Sequence, residues 1–332
     1  MKMFENKRIL ITGGSGSWGN ELTTQLLEMN PKEILIYSRG ELAQVNMQRK
    51  YRNEKIKFII GDVRDYETLR RSLKGVDHVF HLAALKHVPV CEYQPQEAIK
   101  TNIDGTTNLI NAAIEQGVTK VIDVSTDKAC SPINVYGMTK AIGERLIIQA
   151  NLSNITRFVC VRGGNVLGSN GSVVPFFINQ IKEYNEVTIT DKTMTRYFLT
   201  LSEAIKLLFQ AAEAGDGGET FVMNMPSFYI SDLAEVLVEA YGDDTTTIKE
   251  IGIREGEKID EMLITHDEAK SAYVYNDEYY SILPSIKSEK LDVLKYYYEG
   301  RYEKVDFDSF TSADNLKDKT YLKELLQKGK FI

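Results

Sequence analysis

Short apolar runs alternate with helical patterns through the first half of the chain. Arg8-Ile9-Leu10-Ile11-Thr12 reads as a strand, and Glu21 to Met29 as a helix that Asn30-Pro31 stops. Further strands are predicted at Ile34 to Tyr37, Phe58 to Ile60, Val76 to Leu82, Val121 to Val124 and Phe158 to Val161. These runs are nearly continuous rather than alternating, as strands buried on both faces are. The segments between them are long enough for the crossover helices that parallel pairing requires. Beyond about residue 166 the rhythm changes. Gly168 to Gly171 reads as a loop, Val173 to Ile181 as an apolar helix, and Ser202 as the cap of a helix carrying Ala204, Leu207, Leu208 and Ala211. Asp216-Gly217-Gly218 is a turn into the strand Thr220 to Met223, and a second capped helix starts near Ser231-Asp232. The expected fold is α/β: a Rossmann-type doubly wound parallel sheet over residues 1–166, with a smaller α/β C-terminal subdomain over 167–332.

Composition narrows the class without naming a function. Of the 332 residues, 43% are hydrophobic and 26% charged, the balance of a soluble globular chain. No apolar run reaches the roughly 18–20 residues of a membrane span, and the start of the chain lacks a signal-peptide pattern. The net charge of −7 argues against a general nucleic-acid binder. Cys91, Cys130 and Cys160 have neither metal-type spacing nor an even disulfide framework, so a reducing cytoplasm and no metal are expected. Eight of the eighteen tyrosines fall between Tyr273 and Tyr302 amid acidic residues, which reads as packing surface.

Candidate chemistry begins directly after the first strand. Gly13, Gly16 and Gly19 give the spacing G-x-x-G-x-x-G, with Ser15, Ser17 and Trp18 between them. Glycine there allows a tight turn, close approach of backbone N–H groups to a pyrophosphate, and tight helix–sheet contact. With a strand before and a helix after, the loop predicts dinucleotide binding. The end of the second strand selects the dinucleotide. An NAD site usually places Asp or Glu there for the ribose 2′-hydroxyl. Here the strand ends Tyr37-Ser38-Arg39-Gly40-Glu41, and a hydroxyl followed by a guanidinium suits a 2′-phosphate. NADP is therefore expected over NAD, although Glu41 could serve a ribose. Asp62-Val63 is placed to contact adenine, and Ala83-Ala84 offers small residues where backbone passes close to the cofactor.

Tyr136-Gly137-Met138-Thr139-Lys140 contains Tyr-x-x-x-Lys on a predicted helix, which puts both side chains on one face. An ammonium near a phenol favours phenolate and prepares it for general-base work. Combined with the glycine loop and the preceding Ser125-Thr126, this pattern resembles the extended short-chain dehydrogenase/reductases. Sugar 4-epimerases of that superfamily need little beyond the hydroxyl–Tyr–Lys set. A dehydratase must also remove a C5 proton and expel the C6 hydroxyl, and Asp127-Lys128 supplies a carboxylate and an amine for this.

The resemblance narrows across most of the chain. Ala83 to Pro89, Thr126 to Lys140, Gly164-Asn165-Val166, Gly171 to Phe177, Met194-Thr195-Arg196 and Gly252 to Lys258 together look like the soluble UDP-N-acetylglucosamine 4,6-dehydratases of surface-glycan sugar pathways. That resemblance implies UDP-N-acetylglucosamine as substrate and a tightly bound cofactor regenerated each cycle. It assigns Tyr136 the C4 hydroxyl proton, a neutral Lys128 the C5 proton, Asp127 the departing C6 hydroxyl, and Lys140 the nicotinamide ribose. Residues 167–332 become the UDP-sugar region. Arg196 and Arg254 are candidates for the diphosphate, Asn165, Val166, Ser172 and Val173 for the nucleotide, Glu257 for the uridine ribose, and Lys86 and Thr126 for the sugar. His87 reads as structural. Relatives form homo-oligomers, so one is expected here. Two departures stand out. Soluble relatives often carry Tyr where Gly163 stands and Pro where Glu255 stands, which leaves C5 inversion and retention both open. A UDP-sugar 4-epimerase and a non-catalytic NADP-sensing protein are the alternative readings.

Overall fold

A computed structural model describes residues 3–169 and 171–332. Its framework is a nine-stranded sheet. The strands are β1 (Arg8–Thr12), β2 (Glu33–Ser38), β3 (Ile56–Ile60), β4 (His78–His81), β5 (Lys120–Thr126), β6 (Arg157–Gly163), β7 (Thr220–Met223), β8 (Ala272–Asn276) and β9 (Tyr279–Ile282). They lie in the order β8-β9-β7-β6-β5-β4-β1-β2-β3. All pairings from β3 to β7 are parallel, while β9 and β8 add antiparallel at the far edge.

Both faces of the sheet are covered, which accounts for its unbroken apolar strands. In β1, Ile9 and Ile11 point to one side, where they pack with Leu22 and Leu26 of the Ser17–Glu28 helix and Leu207 and Leu208 of the Leu201–Ala214 helix. Leu10 points to the other and packs with Leu109, Ile147 and Phe158. Side chains alternate across a strand, so two helical layers demand apolar residues at every position.

Two expectations shift in detail. The chain crosses the expected boundary at residue 166: β7, β8 and β9 come from beyond it and complete the main sheet. The helix expected from Ser202 is capped instead by Thr200, which forms a reciprocal capping box with Glu203. The Tyr-rich tail supplies β8 and β9, with Tyr273 and Tyr279 buried. A separate cluster forms the remaining substrate-side layer. Leu167, Val174, Phe177 and Ile181 pack there with Leu233, Leu237 and, from the Lys319–Lys328 helix, Leu322 and Leu326. The expected Gly168–Gly171 loop includes position 170, which lies outside the described residues. Among the described residues, no helix is long and apolar enough to cross a membrane.

Candidate active site

The strand order reverses between β1 and β4, and open α/β sheets bind ligands at the carboxyl ends of strands beside such a point. A cleft of about 1410 Å³ opens there. Single-ligand pockets usually span ~300–1,000 Å³, so this one has room for two ligands side by side.

The glycine loop forms one wall. Gly13 has φ +66°, and a Cβ on it would lie 3.0 Å from the Ala83 backbone. A Cβ on Gly19 would strike the Gly14 carbonyl oxygen. The Ser17–Glu28 helix starts without a side-chain cap and without an acid in its first turn. Its positive end thus faces the cleft uncompensated, an arrangement that fits a pyrophosphate. Gly16, Ser15, Ser17, Trp18, Ala83 and Ala84 all line the cleft.

At the end of β2, Ser38 Oγ accepts hydrogen bonds from Ser15 Oγ at 2.9 Å and Gln44 Nε2 at 2.9 Å. Its remaining capacity is to donate. Arg39 lines the cleft, half exposed, with Nη1 3.9 Å from Asp62. Arg64 grips the same carboxylate at 2.6 Å; although burial opposes ionisation of Asp62, these bonds hold it below the usual carboxylate range. Val63 also lines this end. Glu41 does not: the chain turns at Gly40, and Glu41 begins an exposed helix outside the cleft lining.

The catalytic candidates gather where β5 ends. Thr126 Oγ1 donates to Asp127 Oδ1 at 2.8 Å and hydrogen-bonds the phenol of Tyr136. Tyr136 and Lys140 share the Val135–Ala150 helix, capped by Asn134 through the Gly137 N–H at 2.8 Å. Lys140 lies behind the cleft lining, with Nζ 3.3 Å from the Asp123 carboxylate. Burial pushes the Tyr136 phenol up, and Lys140, Thr126 and Lys128 pull it down. Lys140 thus pulls in the expected direction, but burial outweighs it in the protein alone.

Lys128 brings the larger correction. Its Nζ lies 3.1 Å from Asp127 Oδ1 and 3.2 Å from Glu261 Oε1. Burial favours the neutral amine, but the two carboxylates outweigh it and hold Lys128 as an ammonium. The neutral lysine expected from sequence is therefore not the resting form. Asp127 moves the opposite way, because burial dominates and raises its carboxyl toward the protonated form.

Glu261 and Asp123 were missed from sequence. Asp123 carries one signal, an acid inside the apolar run Val121-Ile122-Asp123-Val124. Glu261 carries little, since its partners come from distant segments. A second buried cluster stands behind the site. Arg162 donates to Glu144 at 2.9 and 2.7 Å and to Glu268 at 2.8 and 2.7 Å, joining β6 to two helices.

On the substrate side, Lys86, His87, Asn165, Val166, Ser172, Val173, Arg254 and Glu257 line the cleft. Ser172 begins the Val173–Tyr184 helix without capping it, and its buried Oγ has no partner among the described residues. Glu257 Oε2 is likewise buried without a partner, and Arg254 lies 4.0 Å from that residue's other oxygen. Arg196 lines the cleft as well, with Nη1 and Nη2 atoms that donate to the carbonyls of Thr195, Ile259 and Lys258. Gly163 stands beside Trp18, with 3.6 Å between a built Cβ and the indole. Among the described residues, no group of three or more His, Cys, Asp or Glu is placed to hold a metal ion.

The fold and the loop–tyrosine–lysine arrangement define an extended short-chain dehydrogenase/reductase. The family model described as polysaccharide biosynthesis protein matches residues 9–283, and the chain belongs to that family. It is 47% identical over 292 residues to the inverting UDP-N-acetylglucosamine 4,6-dehydratase of Campylobacter jejuni, covering 86% of this chain and 85% of that one. It is 42% identical over 335 residues to the UDP-glucose 4-epimerase of Rickettsia canadensis, covering 98% and 96%. The X-ray structure of Pen from Bacillus thuringiensis superposes with a TM-score of 0.92 at 39% identity, over 99% of both chains.

Proposed function

We propose that this chain is a UDP-N-acetylglucosamine 4,6-dehydratase that uses NADP as a recycled cofactor. The observation that carries the reading is the pair of a buried Asp127 and a half-buried Lys128, joined to Tyr136 through Thr126. An epimerase has no use for an acid and a base beyond the tyrosine. A bound nicotinamide would supply the hydride chemistry, oxidation at C4 and reduction at C6. Gly13, Gly16 and Gly19 with the Ser17–Glu28 helix would hold its pyrophosphate, and Arg39 with Ser38 its 2′-phosphate; NAD is the alternative. The uncapped Val173–Tyr184 helix, the unpartnered Ser172 hydroxyl and Arg254 face the cleft where a sugar diphosphate would lie.

The chain's own groups account for every proton. Tyr136 takes the C4 hydroxyl proton. Lys128, once neutral, takes the C5 proton, and Asp127 protonates the C6 hydroxyl as it leaves. Lys128 returns that proton to C5 where the configuration is retained; inversion would take a proton from the opposite face of the sugar. Thr126 touches both Tyr136 and Asp127, so it can pass the C4 hydroxyl proton back to Asp127 for the next turnover.

NMR of the product formed from UDP-N-acetylglucosamine in deuterated water tests the reading. A 4-keto-6-deoxy sugar is expected, and its C5 signal reports inversion or retention. The second reading, a UDP-sugar 4-epimerase, is favoured by the Rickettsia relative, whose similarity extends over nearly the whole chain. A product differing only at C4 would select it.

A further inference from the structure

The dehydratase reading leaves one difficulty, because its base begins as an ammonium. The groups around Lys128 contain a way out. Asp127 lies on its own segment, Tyr136 on the facing helix, Arg196 on the Thr195–Leu199 strand, and Glu261 just before the Met262–Ile264 strand. Asp127 is occupied by Thr126 and assigned to the leaving hydroxyl. Glu261 is the other carboxylate in reach. It is 3% exposed, lines the cleft, and has Oε1 3.2 Å from Lys128 Nζ. Its Oε2 is buried without a partner.

The surroundings of Glu261 are rigid. Its N–H donates to Ser312 Oγ at 2.9 Å, and the Ser312 N–H donates back to its carbonyl at 2.8 Å. Arg196, anchored on three carbonyls, places Nε 3.7 Å from Oε1. Lys258, the remaining cation facing it, is tied to the Cys130 carbonyl at 2.8 Å. Burial opposes ionisation of Glu261, but Lys128 and Arg196 hold it below the usual carboxylate range, so a proton received from Lys128 would be held only in passing and returned.

We propose that Glu261 is a positioning residue for Lys128, receiving the Nζ proton that the lysine must lose before it acts as a base. The proposal rests on the dehydratase reading. In the step, one N–H bond of the ammonium breaks and an O–H bond forms on Glu261. The freed lysine lone pair takes the C5 proton, and the C5–H electron pair moves toward C4. The C6–O bond then breaks as the Asp127 proton joins the departing hydroxyl to make water. When Lys128 reprotonates C5 it is neutral again, and Glu261 hands its proton back. The carboxylate ends as it began.

The test is Glu261→Gln in the full-length, cofactor-loaded enzyme with UDP-N-acetylglucosamine, its folding checked by thermal melting. Glutamine can still accept a hydrogen bond from Lys128 but cannot hold the proton. Single-turnover C4 oxidation, read as reduced nicotinamide absorbance, should stay within about threefold of wild type, while release of 4-keto-6-deoxy product falls at least ~100-fold at neutral pH. Turnover should recover as pH rises, because solvent then removes the lysine proton. If the glutamine variant does not fold, Glu261→Asp carries the test, with C4 oxidation retained and the acidic limb of kcat moved to higher pH. A variant with wild-type turnover and pH profile overturns the proposal alone, as does equal loss of both steps in a folded protein. A wild-type enzyme that yields only the C4 epimer overturns the dehydratase reading, and the proposal with it.

Discussion

Lys140 and Asp123 face each other 17 residues apart in sequence, with 3.3 Å between ammonium and carboxylate and neither exposed to solvent. Burial alone would neutralise the lysine; Asp123 keeps it charged, and the charge pulls the Tyr136 phenol down. Asp123→Asn should let Lys140 lose its proton. Tyr136 then becomes harder to ionise, so the acidic limb of the kcat profile should move up by about one unit or more. An unmoved limb in a folded variant would show that Lys140 keeps its charge without help.

Lys128→Ala removes the proposed C5 base and leaves the glycine loop untouched. Product formation should fall by at least ~100-fold while the cofactor stays bound. Equilibrium dialysis of the cofactor and product NMR check the two halves separately. Wild-type turnover would remove Lys128 from the chemistry.

Arg39→Ala tests the choice of dinucleotide. The guanidinium is half exposed, so a bond to a 2′-phosphate would be partly screened. NADP affinity should weaken by roughly tenfold and NAD affinity should hardly change, as titration calorimetry would read. Equal losses for both would place Arg39 elsewhere.

Arg162 sits between Glu144 and Glu268, and removing it leaves two buried carboxylates without their cation. Arg162→Ala should destabilise the fold by about 3–5 kcal/mol, measured by urea unfolding. The same cluster makes stability depend on pH. Burial works against ionisation of Glu268, but Arg162 overrides it and lowers the carboxyl to about 2 from 4.5. Its contribution is complete above about pH 4.5 and is lost as pH falls toward about 2. His78 and His81 act earlier. Burial lowers both to about 4 from 6.5, so the unfolded chain takes up protons first as pH drops below 6.5. Unfolding free energy should therefore decline in two stages, the first between pH 6.5 and about 4. A flat profile across that first stage would mean the histidines are solvated.

Much of this was legible before any coordinates. Strands β1 to β6 announce themselves as short runs of Ile, Leu, Val and Phe, because burial favours apolar residues along them, although β5 keeps Asp123 inside its run. Tyr136, Lys140, Asp127 and Lys128 are legible because they fall at the fixed local spacing that the proposed chemistry calls for. Partners brought together only by the fold are not. Arg162 and Glu268 lie 106 residues apart, and no local pattern links them. Glu261 is hidden for the same reason. Arg196 is legible only in part: its ligand-like motif places it on the cleft, but nothing local announces the backbone carbonyls it also donates to. The Tyr-rich tail did carry a hint, since Asn276-Asp277-Glu278 between two tyrosine runs is a hairpin turn whose strands join the sheet.

The position of β7 matters while the protein is being made. Strand β6 ends at Gly163, and its parallel neighbour is complete only at Met223. At the usual ~5–20 residues per second, a ribosome needs roughly 3–12 seconds to supply it. During that interval the apolar row Phe158 to Val161 offers an unpaired edge to any nascent chain nearby. The yield of folded enzyme should thus be set by how quickly translation covers this stretch, and synonymous slow codons between the two strands would expose the hazard.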